Sequence, residues 1–192
     1  MNPSLQAEAV IGAGRGALIG AMFGAGWLGW GLGSAKALNG FTAPTFGFMA
    51  LFLLAGSIYF IYKGRLLRKK YPAVVHSKRQ TVRKWFLFIV LMEALAIALV
   101  STLAYRLHRS DLAANWCAMV VGLHFLPLAK IFRAPRLIVR GILITVWCVF
   151  CWALFRSNAL VISTSIGTGI LLWVSCVSSL LRARRIAHSL CT

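Results

Sequence analysis

Acidic residues are nearly missing from this chain. Among 192 residues there are three, Glu8, Glu93 and Asp111, against 21 Lys and Arg. Chemistries built on clusters of carboxylates are excluded by that count, among them two-aspartate intramembrane proteolysis and lipid-headgroup transfer on divalent metals. Charge of either sign is scarce, at 12% of residues, where a soluble domain carries about a quarter. Apolar residues make up 60%, and the mean hydropathy is +0.81. An ordinary water-soluble globule is ruled out. Cysteine is sparse and suggests no disulfide framework: Cys117, Cys148, Cys151 and Cys176 fall in apolar stretches, and Cys191 in a basic tail expected on the side where thiols stay reduced. No cleavable signal peptide is expected, because residues 1–9 lack a basic n-region and the first apolar stretch is long and Gly-rich.

What is there is long apolar runs. A helix needs roughly 20 apolar residues to cross a hydrocarbon core of about 30 Å. Six stretches qualify, at 10–33, 45–62, 85–105, 112–130, 137–155 and 159–181, separated by basic or turn residues. The fold class predicted is all-α, a polytopic membrane helix bundle of six transmembrane helices, with residues 1–192 forming a single integral membrane domain. Lys and Arg set its orientation. With six spans, one side carries Arg15, nine cations from Lys63 to Lys84, four from Lys130 to Arg140 and three in the tail, 17 in all. The other side carries four, Lys36, Arg106, Arg109 and Arg156. That bias predicts both termini in the cytoplasm. The segment 63–84, with Pro72 and His76 inside it, reads as a basic cytoplasmic loop that contacts anionic lipid headgroups. Nucleic acid is not an expected partner, because the aromatic interleaving of a single-strand binder is missing.

Ten of the 17 glycines lie in the first 40 residues. Gly12, Gly16, Gly20 and Gly24 recur every four positions, a spacing that lets another helix approach closely. The partner helix can belong to the same chain or to a second copy, so a homo-oligomer is one candidate assembly. The run Gly12-Ala13-Gly14-Arg15-Gly16-Ala17 formally matches the dinucleotide fingerprint. It lacks the strand before it and the acid about 20 positions after it, so no cofactor is expected.

Polar residues inside the spans are the candidates for function. Glu93 is the one carboxylate within a span, about 12 Å from the start of the third helix. His124 is the one histidine within a span, about 9 Å from the end of the fourth. Consecutive antiparallel helices thus carry the two at similar depth, where a Glu–His contact would relay protons near neutral pH. Pro127 cannot donate to the carbonyl of Leu123 and is expected to kink the helix beside His124. Arg15 either snorkels to the headgroups or turns inward as counter-charge to Glu93. Ser165, Thr168, Ser175 and Ser179 form a hydroxyl stripe on the sixth helix, lining either a helix seam or a polar path. Asn115 lies off the His124 face and is expected to bond another helix, whereas Cys117 shares that face. Cys148 and Cys151 have the CxxC spacing, but nothing completes a ligand set, and no metal is expected.

The stretch Gly122-Leu123-His124-Phe125-Leu126-Pro127-Leu128-Ala129, with Glu93 upstream, resembles a group of small uncharacterised bacterial multi-pass membrane proteins. The likeness covers helices 3 to 5. It implies a bacterial inner-membrane protein in which His124 matters, and it implies no mechanism. Two functions remain open: a small transporter or channel coupled to protons through Glu93 and His124, and a non-transporting scaffold, sensor or partner subunit that associates through its Gly-rich helix. An enzyme is not expected, since a Gly-x-Ser-x-Gly elbow is absent as well as the carboxylates.

Overall fold

A computed structural model describes residues 3–71, 79–132 and 134–190. They form six helices and no strand: α1 (Pro3–Ser34), α2 (Thr42–Lys70), α3 (Arg79–Arg106), α4 (Asp111–Phe132), α5 (Pro135–Leu154) and α6 (Ser157–Ser189). All six are long and apolar enough to cross a membrane. Pro72, His76 and Lys78 of the expected basic loop, together with Arg133 and Cys191, lie outside the described residues.

The helices outrun the apolar stretches, and this corrects the reading of 63–84 as a loop. Lys63–Lys70 is the last part of α2, and α3 already begins at Arg79. Cations are favoured at a helix C-terminus, where Arg68, Lys69 and Lys70 meet unpaired carbonyls and the negative end of the macrodipole. In the same way α6 continues past residue 181 to Ser189, and α1 starts at Pro3, ahead of the first apolar run.

The described chain divides into two compact units. The first holds residues 1–26, 37–75 and 172–192. Its contacts are made by small residues, because lipid tails supply no hydrophobic drive for helices to associate and close van der Waals packing must hold them. Ala7, Val10 and Ala13 of α1 pack with Leu67 of α2 and with Ala183 and Ala187 of α6. Further along, Ala17 and Ala21 meet Leu53 and Cys176. Two glycines seat α1 against α2. A Cβ on Gly14 would lie 2.9 Å from Ile61 Cγ1, and one on Gly64 would lie 2.7 Å from Ile11 Cγ1. The pairs run 11 with 64 and 14 with 61, so the two helices are antiparallel at that seam.

The second unit holds residues 27–36 and 76–171. Here α4 and α5 meet backbone to backbone: a Cβ on Gly141 would be 2.6 Å from the carbonyl oxygen of Gly122. The Trp147 indole lies over Gly167 of α6, where a Cβ would fall 2.0 Å from Nε1, and that Nε1 donates to the carbonyl of Ser163 at 3.1 Å. Leu112, Cys151 and Leu160 form the apolar cluster beside it. In the turn before α4, Arg109 clasps Asp111 through two hydrogen bonds of 3.0 and 3.1 Å.

The glycines of the four-residue stripe do not share one role. Each four-residue step advances about 400° around the helix, 40° more than a full turn. Four glycines therefore spread over about a third of the circumference. Gly20 is buried against Cys176 and the carbonyl of Leu172, and Gly24 is buried too, whereas a Cβ at Gly12 or Gly16 would meet nothing within 4 Å.

Candidate functional site

The second unit brings Glu93 of α3 and His124 of α4 together. Glu93 Oε1 lies 3.1 Å from His124 Nδ1, and each side chain keeps 15% of its surface exposed. The same Nδ1 is 2.7 Å from the carbonyl oxygen of Val121, one turn earlier on α4. A carbonyl oxygen carries no proton, so the proton between them belongs to Nδ1. This fixes the tautomer of the neutral ring: Nδ1–H donates to the carbonyl of Val121 with Glu93 Oε1 beside it, and Nε2 is left as the atom that accepts a proton. Phe125 packs against the imidazole with ring centroids 4.5 Å apart.

The seam that carries this pair is pinned above and below. Phe86 of α3 meets Phe132 of α4 at 5.9 Å on one side, and Ser101 Oγ lies 3.3 Å from Cys117 Sγ on the other. From Glu93 to Ser101 is eight residues, about 12 Å along α3. Cys117 thus shares the His124 face and meets α3. Pro127 lies within α4, which continues through it to Phe132. The proline leaves the carbonyl of Leu123, next to His124, without its helical donor.

Asn115 bonds across helices. Its Nδ2 donates to the carbonyl of Cys148 at 2.9 Å and to Thr164 Oγ1 at 3.2 Å, and the residue is wholly buried. Asn115 Oδ1, Ser165 Oγ and Thr168 Oγ1 are also buried, and none has a hydrogen-bond partner among the described residues. Of the hydroxyl stripe, Ser165 and Thr168 thus belong to this unit, with Ser165 beside Gly31 of α1. Ser175 and Ser179 are buried in the first unit, where Ser179 Oγ donates to the carbonyl of Ser175 at 2.9 Å.

Every carboxylate has its own cationic or imidazole neighbour: Glu8 has Arg68 at 3.5 Å, Asp111 has Arg109, and Glu93 has His124. Arg15 belongs to the first unit, is exposed, and has no hydrogen bond or ion pair among the described residues. Cys148 and Cys151 are buried as free thiols, and no group of three metal-ligating side chains occurs among the described residues. Sequence reasoning missed the tight seats at Gly122–Gly141 and Gly167–Trp147. The available signal was glycine within an apolar helix, one in α4, one in α5 and two in α6, which marks a close approach without naming the partner. Comparison of the chain with protein-family models, with curated proteins and with solved structures finds no match.

Proposed function

We propose that the chain is a small proton-coupled transporter or channel whose protonation site is the Glu93–His124 pair. The observation that carries this reading is the 3.1 Å contact between the one carboxylate and the one histidine within apolar spans. An ionisable pair at membrane depth is costly, and a neutral contact would hold two helices as well, so its presence supports work on protons. His124 Nε2, free of the Val121 and Glu93 contacts, is the atom through which a proton enters or leaves the ring. The unused hydrogen-bonding capacity of Asn115, Ser165 and Thr168 adds support for a polar route in the same unit. In this reading the protein is a bacterial inner-membrane protein with both termini cytoplasmic, as the 17-to-4 distribution of cations supports. It does no bond-making chemistry.

A second reading, a non-transporting scaffold or partner subunit, draws on one feature. Within their units α2 and α3 leave most of their apolar surface uncovered, with 11% and 6% of their spans buried. Flux separates the two. In vesicles holding the purified protein and a pH-reporting dye, an imposed pH gradient should decay through the wild type. Glu93→Gln should slow that decay about a hundredfold, the scale of a lost positioned proton-transfer group. Equal decay in the wild type, in Glu93→Gln and in protein-free vesicles would leave the scaffold reading in place.

A further inference from the structure

We propose that the α1–α2 flank of the first unit is a binding site for an anionic phospholipid, with Arg15 and Arg65 holding its phosphodiester. The helix register places these two cations together. Gly14 lies against Ile61 and Ile11 against Gly64, so Arg15 sits five residues, about 7.5 Å, inside the level of Arg65. Side chains lean toward the N-terminus of their own helix. The N-terminus of α1 and the C-terminus of α2 share this end, so Arg15 leans out and Arg65 leans in, and their heads converge. The Glu8–Arg68 contact marks the flank on which they do so. Arg15 follows Glu8 by seven residues, within about 20° around α1, and Arg65 precedes Arg68 by three, within about 60° around α2.

Both guanidiniums are exposed, and neither has a hydrogen bond or ion pair among the described residues. Glu8 is the sole carboxylate in this unit's sequence, and it faces Arg68. Two like charges converging beside an apolar stretch repel unless an anion stands between them. Acidic proteins and nucleic acids do not reach below the membrane surface to Arg15, whereas a lipid phosphate resides at that depth. A zwitterionic headgroup would bring its own cation toward Lys69, four residues from Arg65 on the same side of α2, so a headgroup with no cation fits better. The unobstructed surface over Gly12 and Gly16 gives the glycerol and acyl chain a place to lie beside Arg15. A second copy of the chain is a poor occupant, because it would present another Arg15 to the first.

The test uses the full chain reconstituted in phosphatidylcholine bilayers containing trace spin-labelled phosphatidylglycerol or spin-labelled phosphatidylcholine. The protein-bound fraction of each label is read by electron paramagnetic resonance. The wild type is expected to hold phosphatidylglycerol about fivefold more tightly than phosphatidylcholine, the scale of one well-placed cation near the surface. That preference should vanish in Arg15→Gln/Arg65→Gln, persist in Arg15→Lys/Arg65→Lys, and be unchanged in Arg184→Gln/Arg185→Gln on α6. Inorganic phosphate should not compete. A wild type without preference overturns the proposal, and needs no variant to fold. A preference that survives Arg15→Gln/Arg65→Gln, or that Arg184→Gln/Arg185→Gln removes equally, overturns it too.

Discussion

Gly167→Ala is expected to lower stability by about 3 kcal/mol, the upper range for forcing extra atoms into a packed site. The added methyl would fall 2.0 Å from Trp147 Nε1, 2.1 Å from Cε2 and 2.5 Å from Cζ2. These atoms belong to one rigid ring, so they cannot give way singly as the tip of a flexible chain would. The ring can escape only by leaving Ser163, whose carbonyl then loses its 3.1 Å donor. Trp147→Phe removes the atoms that clash, at the cost of that hydrogen bond. The double variant Gly167→Ala/Trp147→Phe should therefore be more stable than Gly167→Ala alone, a coupling that a double-mutant cycle isolates. Thermal or denaturant unfolding in bicelles reads all four proteins.

Gly141→Ala is expected to damage both stability and function, with a loss of about 2 kcal/mol or more. Its methyl would be 2.6 Å from the Gly122 carbonyl oxygen and 3.3 Å from Phe125 Cβ. Those two α4 residues bracket His124. Relief requires α4 to move away from α5, and with it the imidazole that faces Glu93 at 3.1 Å. Proton flux should fall toward the level of Glu93→Gln, although no titratable group has changed. Gly12→Ala, where a Cβ meets nothing within 4 Å, should leave flux and unfolding unaltered. Flux through Gly141→Ala equal to wild type would show that His124 is positioned independently of the α4–α5 contact.

Much of this architecture is readable from the residues. Six apolar runs become six helices because hydrocarbon leaves the backbone no better way to satisfy its polar groups. The ends are not readable from hydropathy, since helix persists wherever cations suit its C-terminus, as at Arg68–Lys70. The meeting of Glu93 and His124 follows from counting residues inward on antiparallel neighbours, at 1.5 Å each. The glycine stripe was harder to read. Four-residue spacing suggests one face, but the helical drift buries Gly20 and Gly24 while leaving Gly12 and Gly16 open. The seats at Gly141 and Gly167 depend on which helix arrives opposite, and nothing within a single helix encodes that. Arg15 stands out in an apolar run, but the register that sets it near Arg65 is fixed by Gly14 and Gly64, residues with no side chain to announce it.

In the proposed reading Glu93 and His124 share and pass a proton within the membrane. An infrared pH titration in lipid bilayers tests it most directly, with Glu93→Gln assigning the carboxyl band. The expected result is a Glu93 band that rises and falls reversibly across the range in which histidine switches charge, with a midpoint that moves in His124→Ala. A Glu93 signal that stays constant across that range, in both the wild type and His124→Ala, would contradict it and reduce the pair to a fixed tie between α3 and α4.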